Sequence, residues 1–211
     1  MDYSRQTGIF NPEQYKGARV TVIGAGSVGS FLVLSLAKMG LANITVYDHD
    51  KIEEHNLPNQ FYRSEDVNEL KVEALADIVW KFAGVRLNVH PEKYQAQELK
   101  GIVIVATDSM DSRKAIWLQV RRQPLVDLLA DIRVGGEVAL IFAIKPTLDR
   151  AFYEDSLYSS AEAFRAPCGQ QAIIYTVLGT ACYASSLLRK HLVGERYPKE
   201  QTLDFKLNMI L

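Results

Sequence analysis

Gly24-Ala25-Gly26-Ser27-Val28-Gly29 is the feature that most restricts how this chain can fold. This G-x-G-x-x-G run follows a short β-branched segment, Arg19 to Ile23. It precedes a stretch, Val28 to Met39, whose apolar positions recur at helical spacing and stop at Gly40. Each glycine has a steric reason. The first permits a tight turn, the second lets the backbone approach a phosphate, and the third lets helix and strand pack closely. Free N–H groups and a partial positive charge at the helix start favour an anion there. The next apolar run, Ala42 to Tyr47, ends in Asp48-His49-Asp50. Asp48 stands where a carboxylate accepts hydrogen bonds from ribose hydroxyls. The plainer alternative is a glycine turn serving only helix–strand packing; strand, helix and acid together argue against it. Gly24, Gly26, Gly29 and Asp48 are therefore the expected nucleotide contacts.

The alternation continues. Val67 to Phe82 has an amphipathic helical pattern, and Leu87 to His90 reads as a brief strand. Gly101 to Ala106 is fully apolar, as a central parallel strand would be. A helix over Asp111 to Arg122, its start capped by Asp111, and a strand over Pro124 to Leu129 complete the series. This β-α-β-α-β order predicts an α/β fold with a Rossmann-like, doubly wound, mostly parallel sheet. Beyond Asp131, Arg133 to Ile144 reads as one longer strand beginning at Gly135-Gly136. Its expected antiparallel partner is Leu203 to Leu211, which gives the sheet antiparallel C-terminal strands. Lys145 to Gln170 reads as a long loop, and Ala172 to Leu188 as a buried helix with too many polar interruptions to span a membrane. The expected organisation is one domain over residues 1–211. It comprises an arm (1–17), a nucleotide-binding core (18–131) and a C-terminal part (132–211).

Charge and cysteine usage narrow the function classes. The 24 Lys+Arg balance 25 Asp+Glu to a net charge of −1, so no global basic field exists and a nucleic-acid partner is not expected. Cys168 and Cys182 show no Cys-x-x-Cys spacing, which argues against structural zinc and suits a reducing compartment. His49, His55, His90 and His191 are scattered, none at metal spacing. The first residues lack a secretory pattern. A cytoplasmic location with no membrane partner is the expectation. Cys182 is expected in the core, and Trp80 and Trp117 in the core or on a dimer surface.

The glycine loop and its acid suit a dinucleotide or ATP alike; the following segment separates them. Asn56-Leu57-Pro58-Asn59-Gln60, then Asp66-Val67 and Lys71, place amides and a lysine just past the strand that carries the ribose acid. Such donors suit a triphosphate. Thr107-Asp108 ends the apolar strand at its carboxyl edge, where open α/β sheets bind ligands, and Asp108 is well placed to hold Mg²⁺. ATP and Mg²⁺ are thus the expected cofactors.

Taken in order, these motifs resemble the ThiF/MoeB/E1 family, adenylating enzymes that activate ubiquitin-like and sulfur-carrier proteins. Tyr3-Ser4-Arg5-Gln6 resembles the family's opening R-Y-x-R-Q. The glycine loop, Asp48, N-L-x-x-Q, D-V-x-x-x-K and T-D-x-x-x-x-R (Thr107, Asp108, Arg113) follow. The match covers residues 1–131 well and the remainder loosely. The resemblance implies that Asp48 binds ribose, that Asn56 and Lys71 contact phosphates, and that Asp108 binds Mg²⁺ as the central catalytic acid. It implies that Arg5 reaches the β/γ-phosphates from the partner subunit of a homodimer. The implied reaction is ATP-dependent adenylation of the C-terminal glycine carboxylate of a small ubiquitin-like, β-grasp carrier protein, giving acyl-adenylate and pyrophosphate.

Three departures stand out. Asn59 replaces the family's usual arginine, Asp2 replaces the first of the opening arginines, and the two Cys-x-x-Cys pairs of bacterial members are absent. Arg63 is either a substitute for the missing guanidinium or a solvated loop charge. Cys168 is either an acceptor nucleophile for the activated carrier or a leftover packing residue. The departures keep open a degenerate nucleotide-binding scaffold. An enzyme acting on a modified tRNA is a further alternative, against which the near-neutral charge speaks. A nicotinamide-dependent oxidoreductase is the remotest reading.

Overall fold

Alternating side chains of Arg19–Ile23 (β1) are buried on both faces of a sheet, because helices cover it from either side. The computed structural model describes residues 1–158 and 172–211. Its eight strands are β1, β2 (Asn43–Tyr47), β3 (Asn88–His90), β4 (Gly101–Val105), β5 (Val126–Gly135), β6 (Val138–Ile144), β7 (Glu200–Asp204) and β8 (Met209–Ile210). They lie in the order β3-β2-β1-β4-β5-β6-β7-β8. The first five run parallel, and β5 to β8 pair antiparallel. The chain builds outward from β1 toward β3, then returns to the other side of β1 with β4. The resulting switch point, above the carboxyl ends of β1 and β4, is the crevice where this architecture binds ligands.

Helices α1 (Ser27–Met39), α2 (Lys71–Ala83) and α5 (Ile174–Leu192) pack on one face of the sheet. Leu32, Leu36, Leu75, Ile78, Ala184 and Leu188 fill that core. The other face carries α3 (Met110–Val120) and the short α4 (Arg150–Asp155), with Ile116, Trp117 and Tyr153 against Val103, Val105 and Leu129. Gly40 ends α1 in the left-handed conformation, at φ 98°. Among the described residues no helix is long and apolar enough to cross a membrane.

Several expectations from the sequence are corrected. The second helix begins at Lys71 rather than Val67, because Asn68 takes a positive φ of 76° and Leu70 bridges Lys51 in antiparallel fashion. Arg133 to Ile144 is not one strand. β5 continues to Gly135, the chain turns at Gly136 (φ 60°), and β6 returns antiparallel. The glycine pair is thus the hairpin turn, not a strand start. The partner of β6 is Glu200–Asp204, and the last residues fold back on β7 through Asn208. The segment after Lys145 contains α4, held by the fully buried Tyr153. Ser109, not Asp111, caps α3 by accepting from the Ser112 amide at 3.2 Å. Cys182 is exposed, on the solvent side of α5 together with Ile174, Tyr175 and Leu178. Trp117 is core, whereas Trp80 is 46% exposed beneath the Arg86 guanidinium. Cys168 lies outside the described residues.

Candidate functional site

The crevice starts from the glycines. At Gly24 (φ 105°) a Cβ would overlap the Ala106 carbonyl, and at Gly29 it would overlap the Gly24 carbonyl. These two glycines bring the turn against β4 and α1 against the turn. Gly26 differs: among the described residues nothing lies within 4 Å of the position its Cβ would take. It is the N-cap of α1, and no described side chain caps that helix. The first N–H groups of α1 are thus left without a side-chain cap beside an open cradle at Gly26, the arrangement that suits a phosphate.

Asp48 closes the turn from the β2 side. Its Oδ2 accepts the Ala25 N–H at 2.7 Å and its Oδ1 accepts the Asp50 N–H at 2.8 Å. Each oxygen retains a lone pair for a hydroxyl donor. Lys71 is buried at the first position of α2, where a cation is disfavoured by the helix dipole. Its compensation is Asp50, whose Oδ2 lies 3.0 Å from Lys71 Nζ. Asn56 is buried at the end of a 3-10 turn, and its Oδ1 accepts the Glu53 N–H at 3.0 Å, leaving the amide N–H groups as donors. Tyr62 joins this segment to the glycine turn by donating its hydroxyl to the Ala25 carbonyl at 2.6 Å. Burial, then the charges of Asp48, Asp66 and Asp50, push this phenol far above its ordinary value, so it stays a donor.

Asp108 projects from the end of β4, exposed, with no hydrogen bond or ion pair among the described residues. The turn presenting it is fixed from beneath. Arg113 donates to the Thr107 carbonyl at 2.7 Å and to the Ile132 carbonyl at 2.8 Å. Sequence reading noted Arg113 as part of a motif but missed the cluster it belongs to. Asp131, 0% exposed, lies 3.2 Å from Arg113 Nε through Oδ1, and through Oδ2 accepts from Arg133 Nε at 2.8 Å and from Tyr153 at 3.1 Å. Arg133 continues to the Ser156 carbonyl and hydroxyl. The available signal was an acid inside an apolar strand with an arginine two residues on, hence on the same face.

The structure joins the glycine turn to Asp48 through Ala25 and sets Gly24 against Ala106, two residues before Asp108; Tyr62 ties the segment after Asn56 to the same turn, and Asp50 links Lys71 to the end of β2. It leaves Arg5 elsewhere. The arm packs on the far end of α1, with Gln6 Nε2 donating to the Met39 carbonyl at 2.8 Å. Thirteen helical residues, about 20 Å, separate that end from the glycine turn. Arg63 is a partly exposed loop charge whose guanidinium pairs with Asp66 at 2.6 Å, Asp77 of α2 at 2.9 Å and Glu65 at 3.0 Å. Burial raises the Asp66 carboxyl, but the hydrogen bonds and charge of Arg63 outweigh it and hold it below 3.8.

The ThiF family description matches residues 3–196. The chain is 36% identical over 105 residues to the NEDD8-activating enzyme E1 catalytic subunit of Arabidopsis thaliana, covering 46% of this chain and 23% of that protein. It is 30% identical over 135 residues to a probable molybdopterin-synthase adenylyltransferase of Gracilaria tenuistipitata var. liui, covering 60% and 38%. These matches therefore span less than half of either relative. Among solved structures, E. coli MccB with ATP superposes with a TM-score of 0.72 at 16% identity, covering 95% of this chain and 64% of that one. That likeness speaks for the fold: a parallel sheet with its crevice above β1 and β4 and an antiparallel extension. With nearly the whole chain matched in a single span, the protein belongs to the ThiF family.

Proposed function

We propose that the crevice binds ATP with Mg²⁺ and that the chain adenylates the C-terminal glycine carboxylate of a small ubiquitin-like or sulfur-carrier protein. One observation carries this reading. The carboxylate of Asp108, with no hydrogen bond or ion pair among the described residues, stands two residues past Ala106, whose carbonyl lies against Gly24 of the glycine turn. An oxygen donor free of side-chain partners suits Mg²⁺, which takes few protein carboxylates and keeps phosphate oxygens. Mg²⁺, when bound, would offset triphosphate charge. The α1 N–H groups, the Asn56 amide and Lys71 would hold phosphate oxygens, and Asp48 the ribose hydroxyls. A carboxylate oxygen of the carrier tail would form a bond to the α-phosphorus as the bond to the β-phosphate oxygen breaks, releasing pyrophosphate. The protein's part is alignment and charge compensation. Arg5 lies too far from its own crevice to take part, so its contribution requires a second copy of the chain.

The test is ATP–pyrophosphate exchange with labelled pyrophosphate, Mg²⁺ and a panel of carriers ending in Gly-Gly. Carrier-dependent exchange is expected; absence of both exchange and ATP binding would overturn the reading. A second outcome separates nucleotide binding from packing. Gly26→Ala should keep its thermal midpoint within about 2 °C yet lose roughly tenfold or more in ATP affinity, since the added methyl meets only the cradle. Gly29→Ala should lower the midpoint or abolish folding, because its methyl meets backbone.

One observation favours the alternative of a nucleotide-binding scaffold. Asn59 supplies no charge, and the Arg63 guanidinium is paired with Asp66 and Asp77, so among the described residues neither of these positions offers a free guanidinium to the crevice. ATP binding without exchange on any carrier would support that alternative.

A further inference from the structure

We infer that Tyr62 is a positioning residue that sets which backbone amide of the glycine turn faces the phosphates. The inference rests on the nucleotide reading above and adds a residue to it. A trans peptide directs its carbonyl and its N–H to opposite sides. Among the described residues there are no cis peptide bonds, and the Ala25–Gly26 peptide has its carbonyl drawn inward by the buried Tyr62 hydroxyl at 2.6 Å. The Gly26 N–H must therefore point outward, to the side where no described residue lies within 4 Å of a Gly26 Cβ. The preceding N–H, that of Ala25, is already taken by Asp48 Oδ2 at 2.7 Å. Two side chains, from opposite sides, thus fix the peptide units flanking Ala25. Asp48 removes one amide from the cradle and Tyr62 aims the next one into it.

The tyrosine is itself held in register. Phe61 N–H donates to Ser30 Oγ at 2.9 Å, tying this segment to the first turn of α1, and Tyr62 N–H donates to the Gln60 carbonyl at 3.0 Å. A phenylalanine at 62 would fill the same space and remove only the donor. Without it the Ala25 carbonyl, buried with its residue at 0% exposure, loses its partner, and the peptide is free to rotate. A glycine at position 26 makes that rotation sterically easy.

The experiment compares ATP with adenosine, which lacks phosphates, on wild-type protein and Tyr62→Phe, by titration calorimetry. The expected result is a loss of about tenfold in ATP affinity with adenosine affinity unchanged within twofold. Equal ATP affinities in the two proteins, or equal losses for both ligands, would overturn the inference while leaving the nucleotide reading intact. A wild-type protein that binds ATP no better than adenosine would bring down that reading and the inference with it. A second measurement needs no variant. In wild-type protein the Ala25 amide should be slow to exchange with or without ATP, whereas the Gly26 amide should become protected only when ATP is added. Protection of Gly26 in the absence of nucleotide, or none in its presence, would overturn the inference even if the variant failed to fold.

Discussion

Asp108→Asn is expected to reduce carrier-dependent ATP–pyrophosphate exchange by roughly 100- to 1000-fold, the usual cost of deleting one preorganised charge at a reacting centre. Its thermal midpoint should stay within about 2 °C of wild type, because a substitution at an exposed position with no partner among the described residues is worth no more than about 0.5 kcal/mol. Asparagine keeps the size and one carbonyl oxygen but loses the negative charge, so the change isolates electrostatics from packing. Arg113 still secures the turn through the Thr107 carbonyl, so the amide should occupy the place of the carboxylate. Exchange within about threefold of wild type would remove Asp108 from the chemistry and shift weight to the scaffold alternative.

The largest effect on stability should come from Asp131→Ala. Asp131 is the shared counter-charge of Arg113 and Arg133, which are 6% and 9% exposed. Removing one partner of a buried ion pair costs about 3–5 kcal/mol, because the remaining charge is stranded away from water. For a chain of this size that corresponds to a fall of roughly 6–20 °C in thermal midpoint. Arg133 stacks over Phe142 and bonds Ser156, so its release would loosen the end of α4, and that of Arg113 the turn after β4. Thermal or urea unfolding checks this, and a midpoint within 2 °C of wild type would show that water or other partners satisfy the guanidiniums.

The parts of the fold legible in the sequence are those set by local sterics and periodicity. Gly24 and Gly29 are dictated by contacts with the neighbouring strand and turn, and the apolar run Gly101–Val105 by burial on both faces. Asp48 and Asp108 could be read as standing just past the carboxyl ends of β2 and β4, because the apolar runs stop there. The start of α2 was not legible. Asn68 owes its conformation to backbone bonds between Ile52 and the Asn68–Glu69 pair, about sixteen residues apart. The hairpin at Gly136 was missed because β-branched residues on both sides of the glycines read as one continuous strand. The ion pairs of Arg63 were not legible because one of its partners, Asp77, lies on the next helix. Cys182 sits in an apolar helix, but its phase opposes that of Val177, Ala181, Ala184 and Leu188, and composition alone carries no phase. The cluster at Asp131 needs β5, α3 and α4 at once, and no single window of sequence contains all three.

The unequal exposure of the ion pair at the start of α2 has a consequence for how an anionic ligand would enter. Lys71 has 9% of its side chain exposed, and Asp50 has 50%. The ammonium is thus the fixed member and the carboxylate the movable one. An arriving phosphate can displace Asp50 into water, where a carboxylate is readily hydrated, while the lysine stays where it is. The reorganisation on ligand entry then falls on the solvent side, and the inner charge is already seated before the ligand comes.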